Sequence, residues 1–171
     1  MPARELRRGL AALAVLAGVA LVGCASGSPQ TGAARFRGEH AAAAARAIAS
    51  AKAVESELAG LALAPTRAQL ARLAQAAGEA HGELLEASEW NVAGRGEEGA
   101  EEEDVPRAET QVTEGAGEVA GAMSALQTYA RAPSATPLAS YRSKLANGRT
   151  EWDEGISQLW YLAHASDPPT L

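Results

Sequence analysis

Few side chains in this sequence stand in patterns that perform chemistry, and the histidines are the first to consider. There are three of them, and no His-Glu-x-x-His pair is present. If the chain folds as antiparallel helices, His40 and His164 fall at one end, roughly level with Glu86. Two imidazoles and a carboxylate could bind a borderline metal ion, although a structural site normally has four protein ligands. The alternative is that these are ordinary surface or half-buried histidines, and on that interpretation no cofactor is expected.

The other catalytic patterns are weaker. Residues 94–99 match the glycine spacing of dinucleotide-binding loops, but no strand precedes them, and Glu97 and Glu98 would repel phosphate. The serines have no histidine and carboxylate placed as in a nucleophile elbow. The carboxylates within 79–86 and 151–154 should meet at one end of the molecule as a solvated acidic face, because nothing apolar encloses them to raise a pKa. The sequence therefore predicts a protein that is not an enzyme.

A third group is aromatic. Trp152, Ile156 and Trp160 recur at four-residue steps and so share one helix face. Small residues are expected at the same level on the other helices: Ala41 to Ala45, Gly78, Gly82 and Gly115 to Gly117. Either the two indoles fill the space that the small residues leave, as close packing requires, or they line a small apolar ligand pocket.

The first 24 residues have the layout of an export signal. Arg4, Arg7 and Arg8 precede an apolar run from Leu10 to Gly23, whose 14 residues are too few for a membrane span of roughly 20. A basic segment, a short apolar segment and a small-residue exit are typical of a cleaved signal peptide. We therefore expect residues 1–23 to be removed.

The end of that segment reads Leu21, Val22, Gly23 and Cys24, and it resembles the lipobox of bacterial lipoprotein precursors. The resemblance covers residues 1–24 and implies that the Cys24 sulfur accepts diacylglycerol, with fatty acids such as palmitate. It implies a lipid-anchored protein on the extracytoplasmic face of the cell membrane, or on the outer membrane of a cell with two membranes. More than one acyl chain anchors a protein far more firmly than a single chain does.

Charge narrows the choice of partners. Residues 1–23 hold three of the 15 basic and one of the 21 acidic residues, so the mature chain would carry a net charge of −8. Such a chain is not expected to bind nucleic acid. A basic protein of the cell envelope would suit it better.

Apolar residues at three- and four-residue steps predict four helices, over about 34–63, 66–90, 105–131 and 136–163. Thr66 and Gln69 form a capping-box pattern. Thr136 is expected to be the N-cap of the last helix, with Pro137 at its first position. The dipeptide Asn147-Gly148 favours a turn, but the helical register continues across it, which favours one long helix.

The predicted fold is therefore an all-α, up-down-up-down four-helix bundle. Residues 24–34 would be the acylated cysteine and a flexible tether, 35–165 the bundle with an acidic loop over 91–104, and 166–171 a tail. The function that this organisation favours is a non-enzymatic interaction or scaffold module at the cell envelope. The alternative is a protein that binds a small ligand or a metal at the tryptophan layer or the acidic end.

Overall fold

The computed structural model describes residues 32–90 and 104–171, and this part of the chain forms helices without any strand. The described residues form four helices: α1 (Gly32–Ala59), α2 (Arg67–Ser88), α3 (Asp104–Arg131) and α4 (Ala135–Leu162). The all-α prediction is confirmed. The predicted signal peptide and lipobox, residues 24–31 of the predicted tether and residues 91–103 of the acidic loop lie outside the described residues.

Neighbouring helices run antiparallel, as ion pairs and hydrogen bonds between them show. Arg72 bonds to Glu57 and Arg46 pairs with Glu83, so α2 runs back along α1. The backbone oxygen of Ala120 lies 2.9 Å from His81 Nδ1, which joins α2 to α3. The four helices pack in a ring, closed by α1 against α4. None of the described helices is long and apolar enough to cross a membrane.

The N-cap of α2 is the predicted one, whereas the N-cap of α4 is not. Thr66 accepts a hydrogen bond from the Gln69 backbone while the Gln69 side chain accepts one from the Thr66 backbone, which is the predicted capping box. The prediction that Thr136 caps α4 is wrong, because the N-cap residue is Ser134, in extended backbone and without a side-chain cap bond. Pro137 therefore lies within the first turn of α4 rather than at its first position.

The ends of α1 and the course of α4 also test the sequence prediction. α1 ends at Ala59, four residues before the predicted Leu63. Glycine is a poor helix residue, and the Gln69 side chain binds the free Gly60 carbonyl, which stabilises the turn there. By contrast, α4 continues unbroken through Asn147 and Gly148, as the register indicated.

The α3 and α4 backbones approach each other closely at three glycines. A Cβ atom on Gly148 would lie 2.7 Å from the Gly115 carbonyl oxygen, and one on Gly155 would lie 2.6 Å from the Ala108 carbonyl oxygen. Cβ atoms do not tolerate such distances, so a side chain at these positions would force the helices apart. Glycine therefore sets the spacing of this helix pair.

The chain turns back after α4. His164 and Asp167 have positive φ values of 50° and 58°, and they redirect residues 166–171 onto the helices. Leu171 at the far end of this segment is only 7% exposed and joins the hydrophobic core. The stretch expected as a tail is thus a packed part of the domain.

Candidate functional site

An aromatic cluster closes the end of the bundle at which α1 starts, and we call it the end cluster: Phe36, His40, Trp90 and Trp152. The His40 ring stacks on Trp90 at 4.5 Å between centroids and 13° between planes. Phe36 lies 4.8 Å from His40 and 5.8 Å from Trp90, and Trp152 lies 5.9 Å from Trp90. Ring pairs of this kind add about 0.5–1.5 kcal/mol each beyond the area they bury. The cluster joins α1 and α4 to Trp90, which lies two residues after the end of α2.

The surroundings of His40 in this cluster favour the neutral form of its imidazole. Burial lowers the pKa of its imidazole below the usual value, and the nearby Glu39 carboxylate opposes that effect. Glu39 Oε2 lies 4.0 Å from His40 Nε2. The fold therefore prefers an uncharged ring stacked on Trp90.

Glu109 is a buried carboxyl group at the same end of the bundle. It is 5% exposed, and its Oε2 atom has no hydrogen-bond partner among the described residues. Burial raises the pKa of Glu109 to about 7, with Arg35 lowering it and Glu39 raising it further. A buried carboxyl with an unpaired oxygen is costly when ionised, and groups with such a shifted pKa concentrate at functional sites.

The sequence contained a signal for Glu109 that the periodicity prediction passed over. The residue stands four positions after Val105 and three before Val112, both of which are buried. A position so spaced faces the same stripe of the helix as its apolar neighbours. A charged residue within an apolar stripe of a helix is therefore the sequence signal that would have identified Glu109 as a buried carboxyl.

The predicted tryptophan layer is buried. Trp152 and Ile156 are fully buried and Trp160 is 6% exposed. The helix levels differ from the prediction: Gly115 opposes Gly148 and Trp152, while Ile156 and Trp160 lie farther toward the start of α3. The α3 and α4 backbones approach each other closely and so take up space that the small residues leave. This favours indoles packed in the core over indoles that line a ligand pocket.

Two glycines expected in that layer do not contribute to it. Gly82 is exposed, and no atom of the described residues would lie within 4 Å of a Cβ there. Gly78 faces the Gln127 side chain. The prediction of a uniformly small layer is therefore wrong on α2. That helix presents its buried residues from another face, with Ala77, Ala80 and Leu84.

The predicted metal ligands do not form a site. His40 belongs to the end cluster, whereas Glu86 and His164 are both exposed. Across residues 32–90 and 104–171, no three His, Cys, Asp or Glu side chains come together in a way that could hold a metal ion. The acidic face is also partly occupied, since Glu83 pairs with Arg46 at 3.5 Å and Glu79 accepts a hydrogen bond from Gln75.

A second feature that sequence reasoning missed is the contact between α4 and the C-terminal segment, defined as residues 166–171. Trp152 Nε1 donates a hydrogen bond to the Pro169 carbonyl at 3.3 Å, and the Leu171 N–H donates to Asp153 Oδ1 at 2.8 Å. Arg149 donates to the Leu171 carbonyl and also to Glu55 Oε1 at 3.3 Å. Side chains of the helices thus bind main-chain groups of this segment.

A shallow cavity of about 350 Å³ lies at the opposite end of the bundle, between α3 and α4. Hydroxyl groups line it at Ser124, Thr128, Thr136 and Ser140. The Thr128 hydroxyl is engaged with the Ser124 carbonyl of its own helix. The lining is neutral and open to solvent, and it offers few fixed polar groups that would orient a ligand.

Comparison of the chain with known protein families, with curated proteins and with solved structures found no match. The fold defines it as an all-α bundle with a packed C-terminal segment. Fold alone does not imply function, so any function must come from its own residues.

Proposed function

We propose that this chain is a lipid-anchored protein of the cell envelope that acts as a non-enzymatic interaction module. The observation that carries the anchor is the sequence Leu21-Val22-Gly23-Cys24 after a basic and then an apolar segment. Cys24 is the single cysteine of the chain and stands where the lipobox requires the acceptor sulfur. The membrane is then the first partner, reached through the acyl chains.

The helix bounds support a short distance between anchor and domain. α1 begins at Gly32, eight residues after Cys24. A fully extended stretch of that length reaches at most about 30 Å. If Cys24 is acylated, the end cluster and the start of α1 lie near the lipid headgroups.

Charge supports a protein partner of opposite sign. A mature chain of net charge −8 would attract a basic envelope protein and speed its encounter. Electrostatic docking to anionic lipid would be unfavourable, which leaves the acyl chains as the means of attachment.

Acylation is tested by growing cells that express the full chain with a labelled fatty acid such as palmitate. The wild-type protein should incorporate label and fractionate with membranes, and Cys24→Ser should do neither. A matched control combines Cys24→Ser with Ser28→Cys, which keeps one thiol in the tether but moves it out of the lipobox. Label on that double variant, or none on the wild type, would refute the anchor.

The same cells test the interaction module. Crosslinking of the acylated chain followed by mass spectrometry should capture a discrete basic protein, and Cys24→Ser should lose it. Capture of the same protein by both forms would show that anchoring does not bring the two together. Absence of any discrete partner with the acylated form would contradict the interaction function.

A second candidate function rests on Glu109. A buried carboxyl with one oxygen unpaired among the described residues, at the same end as four clustered rings, favours a small organic cation as ligand, because aromatic faces and carboxylates both attract cations. Titration with choline should change the emission of Trp90 and Trp152 in the full chain and in the control Glu114→Gln, whose residue is exposed. Glu109→Gln should abolish the change, and an unchanged wild-type spectrum would exclude this ligand class.

A further inference from the structure

The C-terminal segment is bound mainly through its backbone. Three consecutive residues supply the bonded groups: the carbonyls of Pro169, Thr170 and Leu171 and the N–H of Leu171. The atoms that bind them are side chains of α1 and α4, including Lys52 Nζ at 3.4 Å from the Thr170 carbonyl. Backbone recognition of this kind does not depend on which chain supplies the bound segment.

One side chain of the segment is enclosed and its neighbour is not. Leu171 is buried in the core cluster, whereas Thr170 is exposed. The groove between α1 and α4 therefore selects an apolar residue at one position and accepts a variable residue at the position before it. A side-chain pocket of this kind gives specificity to a site that binds a peptide through its backbone.

The two prolines of the segment restrict the conformations that its backbone can adopt. Pro168 and Pro169 have fixed φ angles near −65° that favour the polyproline II conformation. Trp152 donates its indole N–H to the Pro169 carbonyl, and domains that bind proline-rich peptides use aromatic-lined grooves for the same conformation. A segment that two prolines restrict also loses little entropy when it binds.

Two features favour release of this segment from the bundle. Of the four neighbouring helix pairs, α1 and α4 have the least backbone contact. The segment therefore lies over the least tightly packed helix interface. His164, in the turn that leads into the segment, and Asp167, near its start, have positive φ values, and this region costs side-chain-bearing residues free energy. Release of the segment would relieve that cost.

We propose that the groove between α1 and α4 is a binding site for an extended, proline-containing segment of a partner protein, of the pattern Pro-Pro-x-apolar. Residues 168–171 occupy it in the free chain as a built-in competitor. Arg149, Trp152 and Asp153 on α4 and Lys52 on α1 bind the backbone of the segment, and the site of Leu171 receives the apolar side chain. This inference deepens the proposed interaction function, and peptide binding and lipid labelling are measured separately so that either can fail alone.

The test uses a fluorescein-labelled peptide of sequence Ser-Asp-Pro-Pro-Thr-Leu and follows its anisotropy on titration with the full chain in detergent. Wild type should bind it weakly, because the tethered segment competes at an effective concentration on the order of millimolar. Leu171→Asp removes the apolar anchor of the resident segment and should bind the peptide at least about tenfold more tightly. Thr170→Asp adds the same charge at the exposed neighbouring position and should behave like the wild type.

Variants of the groove link the affinity to the observed contacts. Adding Asp153→Ala to Leu171→Asp removes the acceptor for the leucine N–H and should weaken peptide binding about tenfold, as for a hydrogen bond to a charged group. Adding Glu154→Ala instead, at an exposed neighbour, should leave the affinity unchanged. Circular dichroism and thermal melting of each variant show that the bundle is folded.

Three results would overturn the proposal. The first is no saturable binding to Leu171→Asp while its helical spectrum and melting remain intact. The second is equal binding of a peptide with alanine in place of both prolines, which would reduce recognition to one apolar side chain. The third is a wild-type dimer by light scattering that Leu171→Asp converts to a monomer, which would assign the groove to the segment of a second copy.

Discussion

A Cβ atom placed on Gly115 would lie 2.5 Å from the backbone nitrogen of Trp152, so the α3 and α4 backbones meet where no side chain fits between them. The obstructing atoms belong to the backbone and cannot rotate away. The distance between α3 and α4 at this level is therefore possible only because residue 115 is glycine and has no side chain.

We expect Gly115→Ala to lower the free energy of unfolding by about 1–3 kcal/mol, because the added methyl group overpacks the helix pair. Gly82→Ala is the control, since Gly82 is exposed and a Cβ there would have no atom of residues 32–90 or 104–171 within 4 Å. It should raise stability by roughly 0.5–1 kcal/mol through helix propensity alone. Urea unfolding of both variants measures the contrast, and a stabilised Gly115→Ala protein would contradict the close approach.

The buried carboxyl of Glu109 should make the domain less stable as pH rises. Its pKa is raised from 4.5 to about 7 in the folded state, so the fold retains a proton that the unfolded chain has released. Stability should therefore fall as pH increases from about 4.5 through 7, by at most about 3 kcal/mol. Urea unfolding at several pH values should show this slope in the wild type and in the exposed control Glu114→Gln, and its loss in Glu109→Gln.

His40 should act in the opposite direction over part of the same range. Burial lowers the pKa of its imidazole, so the unfolded chain takes up a proton first and stability should be lost as pH falls below about 6.5. The effect is isolated in a Glu109→Gln background, where adding His40→Gln should flatten the acid side of the profile. An unaltered acid side would mean that the ring stacked on Trp90 tolerates its charge.

The two N-caps differ in a way that stability measurements can detect. Thr66 bonds to the Gln69 backbone, whereas Ser134 forms no side-chain cap bond. Thr66→Ala should cost about 1 kcal/mol, and Ser134→Ala should cost clearly less because no bond is lost. Equal losses in thermal unfolding would show that the capping box contributes nothing beyond the residue type.

Local signals determined the helices from the sequence alone. Apolar spacing specifies a helix without reference to its neighbours, and the Thr66 and Gln69 capping box involves residues three positions apart. The same reasoning carried α4 through Asn147 and Gly148, because a continuous apolar stripe outweighs a single turn-forming dipeptide. The prediction of a cap at Thr136 was wrong by two residues, because Ser134 is also a residue type that suits an N-cap.

Only the tertiary structure decided which residues meet. Burial of Glu109 depends on α1 and α3 starting at the same end of the bundle. Burial of Leu171 depends on the sparse contact between α1 and α4. Both relationships join residues far apart in the chain, so no local pattern contains the distance between them. Periodicity states which face of a helix is buried, but the spacing and level of the helices follow from how their surfaces fit together.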